Sequence, residues 1–152
     1  MEAILENLQD IISGFTPLLQ GIDEKIFILR PSPGKWSKKE ILGHLIDSAQ
    51  NNIRRFIVAQ YNDLPEIIYN QDEWVRMAGY QDYPRQELIQ LWILLNKQLY
   101  RILSLLSADA AKRKCLTNST EPHSLEWLAA DYNRHLLHHL HQILDMDPVY
   151  YS

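Results

Sequence analysis

Four kinds of residue or segment are scarce or missing in this chain of 152 residues, and each absence removes a class of protein. There is one cysteine, Cys115, so no disulfide can form within the chain, and the chain fits a reducing cytosol. There is no basic excess: the formal net charge is -4, which argues against a nucleic-acid surface. No apolar run approaches the eighteen or so residues needed to cross a bilayer, and Met1-Glu2-Ala3-Ile4-Leu5-Glu6 lacks the basic start and apolar core of a signal peptide. A cytoplasmic location is therefore expected. Finally, only five glycines are present, and no Asn-Gly or Asp-Gly turn joins two alternating runs, so strand signals are weak.

What is present is helical periodicity. Hydrophobic residues make up 46% and charged residues 22%, a balance that supports a folded core rather than disorder. The length suits one domain, expected to span 1–152. A first helix is predicted from Glu2 to Gln20, with Ile4, Leu8, Ile11, Ile12 and Phe15 on one face and Pro17 as a possible kink. Pro31 and Pro33 forbid regular helix in the next segment. Ser37 then caps a second helix, and Glu40 completes a Ser-x-x-Glu capping box; the apolar pattern continues to about Tyr61. Residues 62–84 form a long connection that can hold a short helix within Asn70–Tyr80; a loop of this length is usually functional or a crossover. A third helix is predicted over Arg85–Ser107, a polar connection over Ala108–Pro122, and a fourth helix from the Ser124 cap to Leu144. Four amphipathic helices imply an all-α four-helix bundle, with a long crossover between the second and third helices.

The chemistry concentrates in the last helix. Four of the six histidines fall within 135–141. With His135 at zero and about 100° per residue, Tyr132, Leu136, Leu140 and Ile143 mark the buried side and His139 lies about 40° away at its inner edge. His135 and His139 therefore share a face and can close on one ion. His138 and His141 turn toward solvent on the same wheel. Leu136 stands where a zincin motif requires glutamate, so that protease class is excluded. The alternative is a histidine-rich helix that binds nothing. His44, in the second helix beside Ser48 and Asn51, sits away from the densest apolar stripe, and periodicity alone leaves it open between ligand and solvated residue.

Other residues carry weaker signals. Cys115 follows Lys112, Arg113 and Lys114, which can lower a thiol pKa, but the run reads first as a solvated loop. Trp92 and Trp127 read as core, whereas Trp36 and Trp74 lie at loop-to-helix positions suited to a pocket. Asp72, Glu73 and Asp131 are general-base candidates, although acids in helices and loops are usually plain surface.

Taken together, the residues carry a resemblance. Gly34-Lys35-Trp36-Ser37-Lys38-Lys39-Glu40-Ile41-Leu42-Gly43-His44-Leu45-Ile46-Asp47 resembles the Trp-Ser-x-x-Glu-x-x-x-His-Leu entry to the second helix of the DinB-like (DinB/YfiT) superfamily. Asp72-Glu73-Trp74 through Gly79-Tyr80 is similar to a middle stretch of many members, and His135 through Ile143 is similar to its His-x-x-His-His-x-x-Gln-Ile ending. The motifs occur in the family's order and span most of the chain. The resemblance implies a four-helix bundle, often dimeric, with one divalent metal held by His44, His135 and His139. Zinc is the first expectation, and nickel, iron or manganese are alternatives. It further implies a hydrolase or a thiol S-transferase acting on a small electrophile, some relatives using bacillithiol, mycothiol or glutathione. The competing expectation is a metal- or ligand-binding stress-response protein without turnover.

Overall fold

The computed structural model describes residues 1–151. Helix α1 (Glu2–Gln20) runs unbroken through Pro17 and buries Leu8, Ile11, Ile12 and Leu19. A single turn, α2 (Glu24–Phe27), follows an Asp23 cap and inserts Phe27 into the core. The long helices α3 (Lys38–Val58), α5 (Arg85–Ser104) and α7 (Leu125–Ile143) start and stop within about a turn of the predicted limits. The short α4 (Gln71–Ala78) lies inside the long connection, where the sequence predicts a short helix. The remaining pieces are a 3₁₀ turn (Tyr80–Asp82) and a short α6 (Ala108–Lys112). An antiparallel pair of two-residue strands, β1 (Lys114–Cys115) and β2 (His123–Ser124), completes the fold. Strands this short leave no period to read, so the predicted polar connection gives no hint of them.

The four long helices pack in the order α1, α5, α3, α7 around a shared core in which Trp92, Tyr132, Phe27 and Phe56 are the largest enclosed side chains. Side-chain bonds fix the directions. Asn133 Nδ2 donates to the Ile4 carbonyl and the Phe15 ring lies 5.8 Å from that of His141, so α1 and α7 run together. Lys38 Nζ donates to the Ile143 carbonyl, so α3 opposes α7. Glu24 pairs with both Lys39 and Arg85, which sets the first turns of α3 and α5 at one end. Residues 59–84 therefore return the chain along the bundle before α5 begins.

Two features tie that return segment to α3. A Cβ at Gly43 would meet Tyr80 Cδ2 at 2.1 Å, so only glycine lets the Tyr80 ring lie flat on the helix. The Tyr80 hydroxyl then donates to the buried Asp47 carboxylate. Gly79, in the left-handed region at φ 67°, ends α4 and makes that approach possible. Further on, Ile67 N–H donates to the Leu116 carbonyl and Leu116 N–H to that of Pro65. These bonds fasten the return segment to the strand pair and close one wall beside α3 and α7.

Candidate metal centre

The capping box forms as predicted: Ser37 Oγ accepts from the Glu40 N–H, and the Glu40 carboxylate accepts from that of Ser37. It fixes the start of α3, and His44 follows two turns into the helix. That imidazole is only 1% exposed, so the polar side of α3 is buried against α7 and not solvated. His135 and His139 project from the facing side of α7. The ring nitrogens offered by the three residues lie within 4.8 Å of one another, and His44 Nε2 is 3.0 Å from His135 Nε2.

Hydrogen bonds orient the rings. His139 Nδ1 donates to Gln142 Oε1 at 3.0 Å, which leaves the lone pair on Nε2. Ser48 Oγ stands 3.4 Å from His135 Nδ1. His44 Nδ1 is buried without a polar partner, and the Trp36 ring packs at 5.2 Å from the His44 ring. Burial pushes the His44 pKa down to about 3, with His139 adding to the effect. Burial likewise drives His135 well below the ordinary histidine range, reinforced by His44 and His139, and lowers His139. The cluster is therefore neutral at pH 7, the form that ligates metal.

These donors fit a divalent ion. Tetrahedral coordination at about 2.0–2.1 Å separates imidazole nitrogens by about 3.3 Å, between the closest approach and the outer limit seen here. Three imidazoles converge with no carboxylate among them, a donor set of the kind a divalent ion takes.

A cavity of about 710 Å³ opens beside His44 and His135. Ser48, Asn52 and Arg55 of α3 form one wall, and Thr117–Ser119 of the β1–β2 loop form part of another. A second cavity, about 670 Å³, opens on the other side at His139, Trp36 and Lys38.

Several expectations need correction. His138 and His141 are half-buried: each donates Nδ1–H to a carbonyl of the C-terminal segment, Val149 at 2.6 Å and Asp147 at 2.8 Å. A wheel considers one helix and cannot show that residues 145–151 fold back along it. Trp127 is 41% exposed, not core; it stacks on His123 at 3.7 Å and walls the first cavity. Trp92 is enclosed, as expected. Trp36 faces the second cavity, whereas Trp74 packs on Tyr69 and lines neither. Cys115 is buried, donates to the Pro65 carbonyl and has its pKa raised by burial, which opposes nucleophilic use. Of the acids, Asp131 lines the first cavity and Asp72 the second, while Glu73 pairs with Arg76 at the surface. Arg55 and the 117–119 loop escape sequence reasoning. Arg55 does continue the His44–Ser48–Asn52 stripe, eleven residues from His44.

The fold and cluster together define a mainly helical bundle with a three-histidine candidate centre. The chain belongs to the DinB superfamily, whose sequence model matches residues 7–143. Its structure is similar to YfiT from Bacillus subtilis, described as a probable metal-dependent hydrolase with an unusual four-helix bundle topology. That match has a TM-score of 0.85 at 20% identity, covering 95% of this chain and 83% of YfiT. It is also similar to a mycothiol-dependent maleylpyruvate isomerase, with a TM-score of 0.78 at 16% identity, over 97% of this chain but 61% of the isomerase. At these identities the likeness establishes the fold. No curated protein matches by sequence. No helix among the described residues is long and apolar enough to cross a membrane.

Proposed function

We propose that the chain binds one divalent metal ion, zinc first, through His44, His135 and His139, and acts on a small electrophilic substrate as a hydrolase or thiol S-transferase. The observation that carries this reading is the convergence of three neutral imidazoles from two helices, with the His139 ring held through Nδ1 by Gln142. Three protein ligands leave a position for an exchangeable group, which is the pattern of catalytic rather than structural sites. A bound ion would supply Lewis-acid charge, favouring the deprotonated form of a water or thiol near neutral pH.

The chain's own residues supply the rest. Ser48 and Gln142 orient imidazoles, as outer partners of metal ligands do. The first cavity gives a small molecule access to His44 and His135. The Tyr151 ring, 5.2 Å from that of His135, covers part of that approach. YfiT is described as a metal-dependent hydrolase and the isomerase as mycothiol-dependent, and these descriptions support a metal and a thiol here respectively. Cytoplasmic location and a two-fold homodimer remain part of the proposal.

Metal analysis of protein produced without a histidine tag tests the reading. One equivalent of a divalent metal per chain is expected, retained through gel filtration. Metal-free protein that takes up no zinc on titration would overturn it. Stoichiometric metal without turnover against a panel of thiols and electrophiles would leave the non-catalytic binding protein instead.

A further inference from the structure

Arg55 is 8% exposed and has no carboxylate partner among the described residues. Its Nε and Nη2 donate to the Ile67 carbonyl at 3.2 and 3.0 Å, and Nη1 donates to Asn52 Oδ1 at 3.4 Å. A guanidinium carries five N–H groups. Those three bonds leave one N–H on each terminal nitrogen without a protein acceptor. The Tyr69 ring lies beneath the guanidinium carbon at 5.9 Å. A cation withdrawn from water with only neutral acceptors is an expensive way to hold one carbonyl. A neutral amide could do the same work, so the charge calls for another explanation.

The cavity supplies one. Arg55 lines the same space as His44 and His135, and no other lysine or arginine lines it. The one carboxylate in the lining, Asp131, is already committed: Oδ1 accepts from Arg134 and Oδ2 from the Tyr151 hydroxyl. Neutral hydrogen-bonding groups, Asn52, Thr117, Asn118 and Ser119, complete the surroundings. A single buried positive charge in a neutral polar wall matches a single negative charge. It is too little for a phosphate dianion, which ordinarily gathers several cations or a row of backbone N–H groups.

We infer that Arg55 is the recognition group for a carboxylate of the ligand, and that the ligand lies along the α3 wall of this cavity with its other end toward His44 and His135. The placement of the reacting end rests on the function proposed above; the carboxylate site does not. Arginine and carboxylate match in planar, two-pronged geometry, and the cavity already holds the guanidinium in position. His44 and Arg55 are eleven residues apart, about 16 Å along the helix axis, and long side chains lean back toward the N-terminus. The ligand is therefore a short-chain acid or an acid-bearing thiol, not a bare electrophile.

The test compares butyrate with butyramide, which differ in charge but little in shape, by NMR titration of metal-free protein. Leaving out the ion prevents the carboxylate from binding metal instead. Butyrate should bind about tenfold or more tightly than butyramide and should shift the Arg55 Nε–H resonance. Inorganic phosphate should bind more weakly than butyrate. Arg55→Gln should abolish the difference between acid and amide, and Arg55→Lys should keep part of it. Equal binding of the two probes to the wild type would overturn the inference, and that comparison needs no variant to fold. So would a preference for phosphate, or an acid preference that survives in folded Arg55→Gln. Because metal is absent throughout, failure of the three-histidine reading would leave a positive result standing, and a negative result would leave zinc binding untouched.

Discussion

Helices α3 and α5 are nearly the same length and pack against one another, yet they bury different things. Of the 21 residues in α3, fifteen are buried, among them His44, Asp47, Ser48, Asn51, Asn52 and Arg55. In the 20 residues of α5 seven are buried, and Asn96 is the one polar side chain among them; it accepts from the Tyr132 hydroxyl at 2.7 Å. Apolar burial drives folding, whereas each buried polar group costs free energy unless a partner satisfies it. α5 thus reads as scaffold. In α3, Asp47 serves the return segment through Tyr80, whereas His44, Ser48, Asn52 and Arg55 turn buried polarity toward the cluster and the first cavity. Two of its polar atoms, His44 Nδ1 and Asp47 Oδ2, have no partner among the described residues, against one, Trp92 Nε1, in α5.

The contrast can be broken from either side. The largest effect should come from the scaffold. Trp92→Ala removes a fully buried ring from α5 and should cost about 3–5 kcal/mol in denaturant unfolding. Any folded fraction should still bind zinc with wild-type stoichiometry. Loss of zinc from folded protein would make α5 part of the site and erase the distinction.

A smaller effect should come from Gly43→Ala. The added methyl must displace Tyr80 and the segment it anchors, at about 1–3 kcal/mol. Tyr80→Leu in the same chain should recover little, because Asp47 would then lose its hydroxyl donor. Full stability in the alanine variant would contradict the flat packing of Tyr80 on α3.

Acid should separate the two helices most gently, since α5 contributes no titrating group to the buried set. In metal-free protein, unfolded histidines take up protons near 6.5, while His44 in the folded state resists protonation until about 3. The unfolded state then binds more protons, so stability should fall as pH drops below about 6.5. His135 and His139 act in the same direction. Asp47, raised to about 6 by burial, acts in the opposite sense: between its ordinary value near 3.8 and 6 the folded state holds the extra proton. Three histidines against one carboxyl should leave a net decline between pH 7 and 5 in urea midpoints. His44→Gln should flatten that decline. A midpoint that rises on acidification would place the imidazoles in water.

Legibility in the sequence followed how local each feature is. The bundle was readable because α1, α3, α5 and α7 each repeat apolar residues over about five turns, and Ser37 with Glu40 marked a boundary within four residues. His135 and His139 were readable because i, i+4 spacing is a property of one helix. His44 was not decided by its own wheel, which placed it on a polar face; the family resemblance pointed to it, because burial of that face depends on α7, ninety residues away. Arg55 carries no sequence signal because what distinguishes it is a missing carboxylate, which only the folded surroundings reveal. His138 and His141 looked solvated because the covering segment, 145–151, has no periodicity to announce where it lies.

Calorimetric zinc titration of five single alanine variants tests most directly whether three particular histidines form one site. His44→Ala, His135→Ala and His139→Ala should each weaken binding by about a hundredfold or more, whereas His138→Ala and His141→Ala should retain near wild-type affinity because their Nδ1 atoms serve the C-terminal segment. An even, gradual loss across the four histidines of α7, or an unchanged affinity in His44→Ala, would contradict it.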